Sequence, residues 1–223
     1  MCGRYTLRAS KEAIARGLRV AVESLPNLGP RYNVAPTQKI LVLRAADDGQ
    51  REAVMMRWGL PSTTGNLLIN ARAETVDRLP AFRDGFAHRR CLIPADGFYE
   101  WQKTGSRRQP FFIHRPDDEL FALAGVWQPG PTGPVAECVM ITQAAGDAMR
   151  SIHSRQPARL PPEAWDAWLA TDTADSKALA SLLATPAGDD WITRPISGFV
   201  NRVTNDSPRC IAPVEPEQQR ELF

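Results

Sequence analysis

Apolar positions along this chain come mostly in short unbroken runs rather than in long helical stripes. KILVLR (Lys39–Arg44) and AVMMRW (Ala53–Trp58), with Asp47-Asp48-Gly49 between them, predict a hairpin with a longer loop. Further strands are predicted at Cys91–Pro94, Phe98–Gln102, Pro110–His114, Leu120–Trp127 and Glu137–Thr142. The Gly, Pro and Asp turns that separate them suit mainly antiparallel sheets. Helical patterning is confined to the flanks. Ser10 is an N-cap for a helix from Lys11 to about Val22, and Leu25-Pro26-Asn27-Leu28-Gly29-Pro30 then breaks the chain. Two more helices are predicted over Pro162–Ala170 and Ala174–Leu183, after which Trp191–Ile196 returns as a strand. Strands at the centre and helices at the periphery make the class α+β. There is no regular βαβ alternation and no GxGxxG, which disfavours a doubly wound nucleotide-binding fold.

With 223 residues and no linker, repeat or low-complexity segment, the chain reads as one domain spanning residues 1–223. That length buries enough surface for a core to form without a disulfide or metal staple. No apolar run approaches membrane-spanning length, and no apolar signal core is evident, so a reducing cytoplasm is expected. Cys2, Cys91, Cys138 and Cys210 are dispersed with no CxxC and no Cys/His cluster, which makes zinc and a disulfide framework poor readings. Net charge is only +2, yet the basic residues are 23 Arg against 4 Lys. Arginine's planar fork suits bidentate phosphate contacts, although arginine-rich codon usage would produce the same bias. Balanced charge confines any nucleic-acid surface to a local stripe.

Candidate chemistry begins at the second residue. Cysteine's small side chain predicts removal of Met1, leaving an α-amine and a thiol on adjacent carbons. An aldehyde would condense with the amine, and the sulfur would then close a five-membered ring. With ordinary pKa values of about 7.7–8.0 and about 8.5, both groups are partly nucleophilic near neutrality. Position alone also allows Cys2 to be an incidental residue on a mobile end.

Four polar sites sit among residues that read as buried or tightly turned. In LLINARAET, Asn70 and Arg72 are two apart and project to one face of an extended segment, or else form an ordinary strand end. In RCLIPADGFYEW, Ala95-Asp96-Gly97 makes a turn before an alternating strand. Phe98 and Glu100 then share one face, and Tyr99 and Trp101 the other. A carboxylate among aromatics is partly desolvated, which raises its pKa and suits it to proton transfer; a surface ion pair is the alternative. His153, in SIHSRQP, lies in a loop after a short helix, where catalytic groups often sit, although a lone histidine is more often structural. RYNVAPT is a polar turn ahead of a strand.

Taken together, MCGRYT, RYNVAPTQ, RWGL, LINARAET, RCLIPADGFYEW, PFFI, IHSRQP and VNRVTNDSPRCIAPV closely resemble the SRAP family (SOS response-associated peptidase), covalent sensors of abasic sites in DNA. The resemblance runs from Met1 to about Val214. It implies a single compact α+β domain with a barrel-like, mixed and mainly antiparallel sheet, and a basic channel for single-stranded DNA. It also implies that Cys2 forms a thiazolidine with ring-opened abasic deoxyribose, with Asn70, Glu100 and His153 completing the active site. Phosphate-holding positions match Arg4, Arg72 and Arg155, while Pro36 and Trp101 would pack near a bend in the DNA. Asn33 and Thr142 are expected on the same DNA-binding surface. No cofactor or metal is implied. The expected partner is single-stranded DNA, with replication-fork proteins as further candidates, and the expected state is a nucleoid-associated monomer.

Two departures stand out from the family pattern. The loop Pro61–Asn66 is short and lacks the tryptophans that relatives carry, which removes a base-stacking platform. Gln156 stands where an apolar residue is usual. Cysteine peptidase activity, confined to self-removal of Met1, and non-catalytic reading of damaged DNA remain alternative functions.

Overall fold

The computed structural model describes residues 2–62, 64–131, 133–172, 174–184 and 189–214. The first half of the chain forms β1 (Tyr5–Leu7), α1 (Lys11–Leu18), β2 (Arg31–Val34), β3 (Lys39–Ala45) and β4 (Arg51–Trp58). Short strands β5 (Leu60–Pro61), β6 (Leu67–Leu68) and β7 (Asn70–Arg72) follow, then α2 (Arg83–His88) and β8 (Arg90–Ala95). Long strands β9 (Gly97–Thr104), β10 (Arg107–His114), β11 (Phe121–Gln128) and β12 (Glu137–Ala144) come next. The chain closes with α3 (Asp147–Arg150), β13 (Arg155–Pro157), β14 (Arg159–Leu160), α4 (Trp165–Leu169), α5 (Ser176–Ala184) and β15 (Ile192–Pro195).

Two curled sheets, in place of one closed barrel, carry the α+β domain. One has the order β15-β10-β9-β1-β2; the other runs β13-β12-β4-β3-β8-β11-β14. Pairing is antiparallel except at β12, which runs parallel to the end of β4 and then to β7. On its other side β12 meets β11 and then β13. Helices α2 and α4 pack on β8, which pairs with both β3 and β11, and β12 lies between β4 and β11. Strands β8, β11 and β12 are therefore buried almost throughout, and β3 is buried over Ile40–Leu43. That two-sided burial is why these segments are continuous apolar runs with little alternation.

The first helix is shorter than its pattern predicts. Ser10 does cap it, accepting a bond from the Ala13 N–H at 3.2 Å. It stops at Leu18, however, because Arg19 takes a left-handed conformation (φ 57°) and the Val20 N–H bonds back to the Ala15 carbonyl at 3.0 Å. Gly17, two residues before Arg19, packs against Leu120, whose Cδ2 would lie 2.9 Å from a Cβ placed there. The predicted Pro162–Ala170 helix opens as a 3-10 turn over Pro162–Ala164 before α4, and α5 begins two residues later than expected. Among the described residues no helix is long and apolar enough to cross a membrane.

Candidate functional site

Strand β9 fixes the carboxylate. Its alternation sends Phe98 into the main core, edge-on to Trp191 at 5.2 Å. Tyr99 goes into a second cluster with Phe112, Ile196, Val200 and Cys210, against which Trp101 packs. Glu100 is consequently buried, at 2% exposure. Burial raises its pKa, and the charge of His153 pulls in the other direction. Gly97 permits the tight start of this strand: a Cβ there would lie 2.3 Å from Phe112 Cε2.

Pairing of β1 with β9 lays the N-terminus along that strand. Tyr5 faces Phe98, Thr6 faces Gly97, and the Tyr99 N–H donates to the Arg4 carbonyl at 3.0 Å. Asp96 locks this arrangement. Its carboxylate accepts from the Thr6 hydroxyl at 2.6 Å and from Arg8 Nε and the Ala9 N–H, both at 2.9 Å. Cys2 thereby ends up fully buried. Its thiol pKa is raised first by burial and then by the neighbouring Glu100 charge. Met1 lies outside the described residues.

The second sheet delivers the remaining groups. Parallel pairing sets Asn70 beside Met140 and Arg72 beside Thr142, while β13 pairs on the other side of β12, with Arg155 facing Ala144. Asn70 Nδ2 donates to the Cys2 carbonyl at 2.8 Å, which ties the two sheets together at the N-terminus. Asn70 Oδ1 is buried with no hydrogen-bond partner among the described residues. His153 Nδ1 accepts the Arg155 N–H at 2.9 Å, so in the neutral ring the proton sits on Nε2. Gln156, the polar departure at this turn, is buried but satisfied, its Oε1 accepting the Gly146 N–H at 3.1 Å.

The residues expected on a DNA surface divide into three groups. Arg72 is exposed, and Pro36 and Trp101 are half-buried at the edge of the site. Trp101 Nε1 donates to Asn201 Oδ1 at 2.8 Å. Pro36 leads into Thr37, a β-branched residue held at φ 74°, with its N–H bonded to the Trp58 carbonyl at 2.8 Å. Arg155 is engaged by Glu74, through Nη1 at 2.5 Å and Nη2 at 2.9 Å, and also donates to the Thr142 carbonyl at 2.6 Å. Arg4 is held inward, donating to Asn33 Oδ1 at 2.8 Å, the Val200 carbonyl at 2.9 Å and the Asn201 carbonyl at 3.3 Å.

Asn33 and Thr142, also expected on that surface, are completely buried. The amide of Asn33 donates to the carbonyls of Val200, Arg202 and Asn205 at 3.1, 3.0 and 2.7 Å. The Thr142 hydroxyl donates to the Ala71 carbonyl at 3.3 Å. In this structure both side chains are engaged in internal hydrogen bonds. Sequence reasoning also assigned no role to Asp96, Glu74 or Asp206. Asp206 binds Arg31 Nε at 2.6 Å and the Asn33 N–H at 3.0 Å, so the C-terminal VNRVTND segment is strapped onto β2. Nothing local in the sequence separates these acids from ordinary turn residues, since their partners lie 80 or more positions away.

The site thus belongs to a class of α+β protein that buries an N-terminal cysteine beside a protonatable carboxylate, an amide and a histidine. The model of the SOS response associated peptidase (SRAP) family matches residues 1–203, and the chain belongs to that family. The Bacillus subtilis protein YoqW, named an abasic site processing protein, is 36% identical over 224 residues, covering 95% of this chain and 99% of its own. Escherichia coli YedK, with the same descriptive name, is 33% identical over 225 residues, covering 96% and 100%. A crystal structure of a Bacteroides thetaiotaomicron protein superposes with a TM-score of 0.75 at 21% identity, covering 96% of this chain and all of that one, which supports the fold.

Proposed function

We propose that this protein processes abasic sites in single-stranded DNA by capturing them covalently on Cys2 once Met1 has been removed. The observation that carries this reading is the convergence of Cys2, Asn70, Glu100 and His153 from four separate segments onto one buried corner. The names of YoqW and YedK support the substrate.

The chemistry follows from the environment. The α-amine of Cys2 adds to the aldehyde of the ring-opened deoxyribose to give a carbinolamine. Glu100, kept protonated to higher pH by burial, donates its proton to the departing hydroxyl, and water leaves an iminium. Burial holds the Cys2 sulfur as thiol, a weak nucleophile by itself. The carboxylate just formed on Glu100 removes the thiol proton as sulfur attacks the iminium carbon. A thiazolidine results, one water is lost overall, and Glu100 ends protonated as it began. Asn70 fixes the Cys2 backbone through its amide and offers Oδ1 to a sugar hydroxyl. His153 Nε2–H donates toward the sugar ring oxygen during opening. Arg72 and Arg155 would hold flanking phosphates, giving salt-dependent affinity without sequence preference. Single-stranded DNA suits this reading, since no partner base has to be displaced. Trp101 and Pro36 would border the bound strand.

A denaturant-resistant adduct between the protein and an abasic single-stranded oligonucleotide is the expected result, and Cys2→Ala should abolish it. Equal adduct from Cys2→Ala would refute the proposal. Intact-mass measurement should show Met1 absent. Retention of Met1 together with tight DNA binding would favour a non-catalytic reader.

A further inference from the structure

Glu74 is paired with Arg155, one of the two arginines that the proposed function uses for phosphate, and follows the other, Arg72, by two positions. It makes a two-pronged ion pair with Arg155, at 2.5 and 2.9 Å, and lies close enough to Arg72 for that charge to lower its pKa as well. The pair is asymmetric in exposure: the Arg155 side chain is 16% exposed and the Glu74 side chain 51%. The remaining bonds of the Arg155 guanidinium go inward to the Thr142 carbonyl and hydroxyl. Its outward-facing hydrogen-bonding edge is therefore filled by a carboxylate that presents two anionic oxygens, as a phosphodiester does.

We propose that Glu74 is a resident phosphate mimic, occupying the phosphate seat on Arg155 until a DNA phosphodiester displaces it. The inference rests on the proposed DNA-processing function and adds a residue that sets its reversible affinity. Glu74 is free to leave. Half-exposed ion pairs contribute little net stability. Beside Glu74 lies an open depression of about 450 Å³, bordered by Ala73, Gln143, Ala180 and Leu183, into which the carboxylate can swing. Because the guanidinium stays anchored to Thr142, the arriving phosphate meets a pre-set fork. Exchange of one anion for another makes this contact nearly neutral on undamaged DNA. Retention on the strand then depends on the covalent step at Cys2.

The test is reversible binding of an undamaged single-stranded oligonucleotide. Glu74→Gln should bind roughly three- to tenfold more tightly than wild type at low salt, with the gain shrinking as salt screens the released carboxylate. Neutralising an exposed acid elsewhere, as in Glu163→Gln, should change affinity less than twofold. In an Arg155→Ala background, Glu74→Gln should lose most of its effect. No gain from Glu74→Gln, or weaker binding, would overturn the proposal by making Glu74 a support for Arg155. A gain that persists undiminished without Arg155 would overturn it as a general charge effect. Failure of the underlying function has a different signature: wild-type protein that forms no adduct with abasic DNA.

Discussion

Asn33 and Asn70 occupy similar places, each in a short strand close to the N-terminal segment, yet their hydrogen bonds differ sharply. Asn33 is saturated. Its amide reaches three carbonyls of the C-terminal strap, and its oxygen accepts from Arg4. Asn70 makes one bond, to the Cys2 carbonyl, and leaves a buried oxygen without a protein partner among the described residues. Leaving a buried acceptor unmet costs about 1–3 kcal/mol, so a fold keeps such an atom only where something else rewards it. Asn33 is thus a structural knot, and Asn70 a half-used group whose missing donor substrate would supply under the proposed function. Glu100 extends the lesson, since a carboxyl buried at 2% exposure weakens the fold at neutral pH, a cost that proton transfer would reward under the proposed function.

The largest expected effect tests the knot. Asn33→Ala strands several carbonyls and the Arg4 guanidinium, and should cost about 3 kcal/mol, lowering Tm by roughly 10 °C in thermal unfolding. A drop of only a degree or two would mean that the strap holds without it. Glu100→Gln should slow adduct formation on the order of 100-fold in single-turnover crosslinking.

The same variant should separate catalysis from stability. The Glu100 pKa is raised in the folded state, so the folded protein holds the proton more tightly than the unfolded chain. Wild-type stability is then lost as pH rises from the ordinary carboxyl range through the folded pKa. Glu100→Gln has no such loss, so its Tm relative to wild type should climb over that interval and be level below it. A constant Tm difference across pH would contradict the burial effect.

Asn70→Ala should slow crosslinking by roughly tenfold or more while lowering Tm by no more than about 4 °C, the opposite of Asn33→Ala. Comparable losses of stability at both positions would erase the contrast. The smallest change belongs to Thr142→Val, which removes two long internal bonds, to the Ala71 carbonyl at 3.3 Å and from Arg155 Nη2 at 3.4 Å, and leaves the shorter bond to its carbonyl; it should shift neither Tm by more than about 3 °C nor single-stranded DNA affinity measurably. A clear loss of affinity would return Thr142 to the DNA surface.

Much of the frame was legible before any coordinates. The β3–β4 hairpin and the long central strands each appear as an apolar run bounded by turn residues, and burial on both faces explains those runs. The alternation put Phe98 on one face of β9 and Tyr99 and Trp101 on the other, and these rings do enter separate clusters. The early end of α1 was not legible, because it comes from Arg19, an ordinary helix former, adopting a left-handed conformation. Strands of two or three residues, such as β5, β6 and β14, are too short to carry a period and exist only as partners of longer ones.

Residue type and local pattern determined by themselves which groups could do chemistry: a thiol beside an α-amine, an amide, a carboxylate among aromatics and a histidine in a loop. Tertiary structure alone decided which arginines point outward, which asparagine is spent on the fold, and that Glu74 already sits on Arg155. The reason is that a polar side chain's role depends on what meets its remaining donors and acceptors. Here those partners are brought in by strand register across the whole chain, such as the 68 positions that separate Asn70 from Cys2.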